Sequence, residues 1–265
     1  LSAGTVTAVV ANSQIQAPVG QTSASTTATF TATANSGYEF VGWGTTSTAT
    51  TYESTANPYT VTISNSSAGS TANKTLYAIY KPVFNFTAAA IKINDGYGTA
   101  TASVAATKVL GSSSSATSAS TTATFTATPN TNGTFEGWYY DAAHTNLAST
   151  DATYTPTITN TSVGSTANLT LYAWFKSNQT IIWTNTYEKN IVNGMTAAGA
   201  ATATASSGLT VTYSSSDNNG ASVNSNGDVT RVSASVDDVT ITVQQAGNDE
   251  FNPASATRDF HIINK

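Results

Sequence analysis

Alternation of apolar and polar positions dominates the first two thirds of the chain. In Thr26–Thr33 (TTATFTAT) Ala28, Phe30 and Ala32 share one face, and Thr27, Thr29, Thr31 and Thr33 the other. A period of two with β-branched residues turned to solvent predicts a half-buried strand. In Thr75–Lys81 (TLYAIYK) Leu76, Ala78 and Tyr80 oppose Tyr77 and Ile79. Apolar residues on both faces predict a central or doubly covered strand. Turn signals separate such runs at Asn35-Ser36-Gly37, Asn94-Asp95-Gly96 and Pro129 to Gly133, and no stretch of ten residues carries a helical period. Beyond Lys176 short strands are predicted at Val211–Ser214, Ala221–Val223, Gly227–Val232, Val239–Gln244 and Asp259–Ile263. Turns fall at Asp217–Gly220, Asn224–Gly227 and Gly247–Asp249, a spacing that suits a small β-sandwich.

The pattern repeats. TSASTTATFTAT stands at Thr22–Thr33 and again, unchanged, at Thr117–Thr128. Phe30 recurs as Phe125, Trp43 as Trp138, Tyr59 as Tyr154 and Lys81 as Lys176, at a constant offset of 95 residues. The copies close on GSTANKTLYAIYK (Gly69–Lys81) and GSTANLTLYAWFK (Gly164–Lys176), and more than half of the positions between are identical. A period of this size marks a duplicated domain rather than a solenoid. Copy 2 has a lead-in that alternates like a strand, Val83–Asn94 (VFNFTAAAIKIN), for which copy 1 has no counterpart, since Leu1 aligns near Asp95 or Gly96. Copy 1 is therefore expected to lack its first strand or to replace it, and the chain to be part of a larger protein. The predicted modules are 1–81, 82–176 and 177–265, with short linkers at Lys81-Pro82 and Lys176-Ser177-Asn178 that allow little swinging.

Composition narrows the function classes. Charged residues make up only 9% of 265, against roughly 25% in ordinary domains, yet 39% are hydrophobic and the aromatics are regularly spaced, which is not a disordered composition. The net charge of −5 and the scattering of nine Lys and Arg leave no basic stripe for nucleic acid. No apolar run of about 18 residues spans a membrane. The absence of cysteine removes disulfides, thiolate metal sites and cysteine nucleophiles. Together with many Asn-x-Ser/Thr triplets (Asn65-Ser66-Ser67, Asn85-Phe86-Thr87, Asn168-Leu169-Thr170), it fits a bacterial extracellular protein.

Two family resemblances rest on particular residues. The Phe-x-Gly-Trp signature (Phe40–Trp43, Phe135–Trp138), the upstream TFTAT and the closing Leu-Tyr-Ala-x-aromatic strand resemble internalin-type B-repeats, especially their divergent branch. Copy 1 has GYEFVGW at Gly37–Trp43; copy 2 departs with NGTFEGW. The remainder, with QTIIW (Gln179–Trp183), NGDVTRV (Asn226–Val232) and QAGNDEFNPA (Gln245–Ala254), resembles a bacterial immunoglobulin-like domain. These resemblances imply an all-β fold, two tandem B-repeat-like domains followed by an immunoglobulin-like β-sandwich. They also imply display outside the cell or on its surface, and no catalytic site.

The candidate sites each have an ordinary reading beside the functional one. The histidines, His144 and His261, are not placed by the sequence beside any particular hydroxyl, as a nucleophilic triad requires. The adjacent acids Asp237-Asp238 and Asp249-Glu250 would point to opposite faces of a strand. Asp217, Asn218, Asn219, Asn224, Asn226 and Asp228 offer oxygen ligands for Ca²⁺, but they are also the usual residues of turns. No catalytic, cofactor or metal residue is assigned. Trp43, Trp138, Phe30, Phe125, Phe40 and Phe135 read as core because they recur in both copies. Tyr139 and Tyr140, which replace Gly44 and Thr45 of copy 1, form a candidate sugar-stacking platform with Asp141 and His144. The expectation is a monomeric, non-enzymatic spacer or adhesin-type stalk, with no cofactor and with a surface glycan or protein as partner. The alternatives are a carbohydrate-binding accessory module of a polysaccharide-processing protein and protein adhesion by addition of a strand to a sheet edge.

Overall fold

The computed structural model describes residues 2–184, 190–192, 196–233 and 238–263. It is all-β; among the described residues the one helical element is a 3-10 turn at Asp95–Tyr97. By internal contacts the chain divides into two compact units. One comprises Leu1–Ala89, Ala102–Phe125 and Thr155–Thr170, the other Ala90–Thr101, Thr126–Tyr154 and Leu171–Lys265.

Copy 1 is built from strands β1 (Gly4–Val10), β2 (Ala24–Ala34), β3 (Tyr38–Gly44), β4 (Tyr59–Asn65) and the first part of β5 (Tyr77–Ile93). Strand β2 lies between β1 and β4, antiparallel to both, in register from Gly4↔Ala34 to Val10↔Ala28 and from Ala24↔Asn65 to Phe30↔Tyr59. Strand β3 pairs with β5, Tyr38 opposite Pro82, with a register shift between Phe40 and Gly42. The alternation read from the sequence holds: Ala28, Phe30 and Ala32 are buried with Trp43, Leu76 and Tyr80 in one cluster. The hydroxyl face is not idle. Thr29 meets Thr60 at 2.9 Å and Ser25 meets Ser64 at 2.8 Å across the β2–β4 pair, the cross-strand hydrogen bonds that make threonine effective in a sheet.

Copy 2 repeats the plan with β6 (Gly98–Val104), β7 (Lys108–Leu110), β8 (Ala119–Pro129), β9 (Gly133–Tyr139), β10 (Leu147–Ser149), β11 (Thr153–Tyr154), β12 (Thr157–Asn160) and β13 (Thr166–Ser177). Strand β13 is hydrogen-bonded to β9 on one side and to β5 on the other. The lead-in is the second part of β5, so Lys81-Pro82, read as a linker, lies inside a strand. Lys176-Ser177 likewise closes β13. The strand expected at Thr75–Lys81 to be central or doubly covered has Ile79 and Tyr80, on opposite faces, both buried, and its counterpart in copy 2, β13, has a neighbour on each edge. In copy 1 the same sequence has β3 on one side only, because its other neighbour in copy 2 is the lead-in, and no counterpart of the lead-in is present among the described residues of copy 1.

The C-terminal module contains β14 (Ile181–Trp183), β15 (Asn190–Val192), β16 (Thr196–Ala197), β17 (Ala203–Ala205), β18 (Thr212–Ser215), β19 (Ala221–Val223), β20 (Val229–Arg231), β21 (Asp238–Gln245) and β22 (Ala254–Ile263). One sheet has the order β15-β22-β21-β18 and another β16-β20-β19, with β14 paired to β17. Ala221, Val229, Val239, Ile241 and Phe260 from these sheets share one buried cluster, the core of a β-sandwich. Strand β22 starts five residues before the predicted Asp259, because Ala254 and Ala256 pair with Gln245 and Val243 without offering a strong apolar signal.

Candidate functional site

The candidate platform residues sit at the end of β9 and in the loop after it. Tyr139 is half-buried and meets His144 edge-on, ring centroids 5.6 Å apart; His144 in turn packs 3.8 Å from Trp174 of β13. Burial, reinforced by the charge of Glu136, raises the Tyr139 hydroxyl above its ordinary pKa. Tyr140 is exposed and takes a different partner, Tyr154, whose hydroxyl is raised by burial and then by the Tyr140 hydrogen bond. The two rings thus have separate neighbours. The Asp141 carboxylate accepts from the Thr145 amide at 3.0 Å and the Asn146 amide at 2.8 Å, bonds that lower its pKa and close the loop on itself. A chain carrying both Tyr139→Ala and Tyr140→Ala is expected to give the same glycan-array signal as the wild type. A sugar signal lost only in the double variant would restore the platform.

The other candidates are engaged locally. Asp217 Oδ1 accepts the Asn219 amide, and Asn224 Oδ1 accepts the amides of Asn226 and Asp228. Asp228 receives the Asn224 side-chain amide at 2.8 Å and the Gly199 amide at 2.6 Å, which hold its carboxyl below the ordinary range. His261 faces Asp238 at 2.8 Å across β21 and β22. Trp43, Trp138 and Phe125 are fully buried, and Trp43 donates its indole N–H to the Ala56 carbonyl at 2.9 Å.

What the structure assembles instead is a pair of joints. At the first, the Val83 amide donates to the Gly37 carbonyl at 2.8 Å, the Gly164 amide to Val83 at 2.8 Å and the Gly111 amide to Pro82 at 2.8 Å. Lys108 and Glu39 form an ion pair at 2.7 Å. Gly164, with φ +75°, stands so close to Gly37 that a β-carbon built on it would lie 2.9 Å from the Gly37 α-carbon. All these residues belong to one compact unit.

The second joint lies within the other unit. The Asn178 amide donates to Asn132 at 2.7 Å, the equivalent of the Val83–Gly37 bond 95 residues earlier. The Ser177 amide then donates to Glu250 at 2.7 Å and the Asn252 amide to Ser177 at 2.9 Å. The Asn252 side-chain amide reaches Thr134 Oγ1 at 2.7 Å and Asn178 Oδ1 at 2.8 Å, and the Trp174 indole reaches the Asp249 carbonyl at 3.3 Å.

The repeating part of the chain can now be placed. Residues 4–83 and 94–179 both match the divergent InlB B-repeat domain. The chain belongs to this family. No curated protein matches it. Each B-repeat ends where a joint begins, and most of the lead-in, 84–93, falls between the two matched regions. The C-terminal motif QAGNDEFNPA acquires a physical role beside this frame. Gln245 Oε1 accepts the Gly247 amide, Gly247 turns the chain at φ +79°, and Asn248 Oδ1 accepts the amides of Glu250 and Phe251 at 2.9 and 2.8 Å. That turn presents 249–252 to the end of the second B-repeat. The sequence marks the motif as a likeness, but its partners, Thr134, Trp174, Ser177 and Asn178, stand far earlier in the chain and no local pattern points to them.

Proposed function

We propose that this chain is a non-enzymatic modular protein of a bacterial surface or secreted assembly, and that its B-repeats and terminal sandwich act as a spacer. The supporting observation is that backbone hydrogen bonds tie both joints, with Pro82 and Val83 inside β5 and Ser177 closing β13 in place of a free linker. Bonds of this kind resist bending because each fixes a donor and an acceptor in direction as well as distance. Membership of the B-repeat family supports a modular, surface-type role. No helix among the described residues is long and apolar enough to cross a membrane.

The joint itself is the test. Because the chain has no cysteine, spin labels can be placed at two introduced cysteines, at the exposed Ala142 and Ser225, on either side of the second joint. The wild type is expected to give a narrow distance distribution. Asn252→Asp, which removes the amide donor to Thr134 and Asn178, should broaden it and lower stability by about 1–3 kcal/mol. A broad distribution in the wild type would refute the spacer reading.

A further inference from the structure

The two B-repeats keep their cores and change their ends. Phe30, Phe40, Trp43 and Lys81 recur 95 residues later as Phe125, Phe135, Trp138 and Lys176. At the same offset the residues that make the first joint from the copy 1 side are all replaced: Gly37 by Asn132, Glu39 by Thr134, Pro82 by Ser177 and Val83 by Asn178. Ile79, which has no side-chain donor, becomes Trp174. The modules that follow differ as well, a second B-repeat after copy 1 and the β-sandwich after copy 2.

The end of copy 1 is shaped for glycine. Gly37 has φ +83°, a left-handed conformation that suits glycine, and a β-carbon on it would lie 3.2 Å from the Gly164 backbone and 3.2 Å from Val163 Cγ1. Pro82 is met by another glycine: a β-carbon on Gly111 would stand 2.7 Å from the Pro82 ring. At this joint Pro82 only accepts, from the Gly111 amide, so the N–H that proline lacks is not needed. Glu39 adds a carboxylate for Lys108 at 2.7 Å.

The end of copy 2 is shaped for an extended segment that both gives and takes hydrogen bonds. Ser177 donates to the Glu250 carbonyl at 2.7 Å and accepts from the Asn252 amide at 2.9 Å, which makes a parallel bridge between Ser177 and Phe251. Thr134 accepts the Asn252 side-chain amide, and the Trp174 indole donates to the Asp249 carbonyl. Proline at position 177 would remove the N–H that Glu250 uses and set its ring against that carbonyl. The repeat itself does not need that N–H. Ser177 stands opposite Gly133 where Pro82 stands opposite Tyr38, and copy 1 forms the same strand pair with proline in place.

We propose that the end of each B-repeat selects the module that follows it, and that position 82 in copy 1 and 177 in copy 2 is the deciding one. Proline there admits another B-repeat, whose paired glycines, Gly111 and Gly164, let its backbone close on Pro82 and Gly37. Serine there admits a β-sandwich that presents an Asp-Glu-aromatic-Asn segment with one carbonyl and one amide free for the bridge. Selection requires that the wrong partner be refused as well as the right one held, and the missing N–H of proline is the refusing element. The order of modules is thereby written at the joints. The inference rests on the spacer reading in that both need closed joints.

Hydrogen exchange of the full chain, resolved by residue with NMR, tests the selection. In Ser177→Pro the Asn252 amide should exchange faster by about tenfold or more, while the amides of Tyr172–Phe175 and Val239–Val243 keep their protection. Ser177→Ala, which retains the N–H, should change the Asn252 amide by no more than about twofold. Pro82→Ser should leave the amides of Val83, Gly111 and Gly164 as protected as in the wild type. A protected Asn252 amide in Ser177→Pro, equal exposure in Ser177→Ala, an opened first joint in Pro82→Ser, or lost protection of Tyr172–Phe175 would each overturn the proposal. If Asn252 stays protected in Ser177→Pro while the spin-label distances of the wild type are narrow, the spacer stands and the selection falls. An Asn252 amide that exchanges freely in the wild type would remove both.

Discussion

Replacing Phe84 or Phe86 by alanine should destabilise the chain by about 3–5 kcal/mol each, among the largest losses expected of any single substitution here. Both rings are fully enclosed, and burying an aromatic side chain removes about 150–250 Å² from water. Truncation forfeits that transfer and leaves a cavity that a sheet held on both sides cannot close. Strand β5 is pinned by β7 along one edge and by β13 along the other, so the backbone has little freedom to collapse into the space. Urea denaturation followed by tryptophan fluorescence measures the change, because Trp138 lies in copy 2. Val9→Ala, at a position 66% exposed, serves as the reference and should stay within about 0.5 kcal/mol. A loss below about 1 kcal/mol for either phenylalanine would mean that the lead-in does not complete the core of copy 2.

Gly164→Ala should cost about 2–4 kcal/mol, whereas Gly69→Ala, at the equivalent place in copy 1, should cost no more than about 1–2 kcal/mol. Both glycines have φ +75°, and both follow the same pattern of turn residues. Alanine strains the left-handed backbone equally at the two positions. Only at Gly164 does the new β-carbon also meet backbone, the Gly37 α-carbon at 2.9 Å; at Gly69 nothing lies within 4 Å. The difference between the two variants therefore isolates the first joint. Chemical denaturation gives the energies, and limited proteolysis near Lys81–Val83 reports whether the joint opens. Equal losses would show that the joint contributes no stability.

Much of the fold was legible in the sequence because β-structure writes itself as a period of two. Ala28-x-Phe30-x-Ala32 needs only the pleat to find its buried face, and the duplicated block marks the same face twice. The recurring tryptophans were legible as core for a related reason: two positions that keep the same large apolar residue through a duplication are held by the same packing. The sandwich core at Val239, Ile241 and Phe260 follows from the same alternation.

The joints were not legible. Lys81-Pro82 looks like a linker, since proline lacks an amide donor and usually interrupts a sheet. Its carbonyl nevertheless accepts the Gly111 amide, and the strand passes through. Tyr139 and Tyr140 are neighbours in sequence, yet His144 and Tyr154 draw their rings to separate surroundings.

The identical segments Thr71–Leu76 and Thr166–Leu171, but for one residue, draw the boundary most clearly. By itself the sequence determined which side chains each segment turns inward, because that depends only on the alternation of side chains along the backbone. Whether the segment is a strand was decided by tertiary structure, because a strand's backbone hydrogen bonds are made to a partner. That partner, Val83–Asn94, borders copy 2, and among the described residues no counterpart of it borders copy 1.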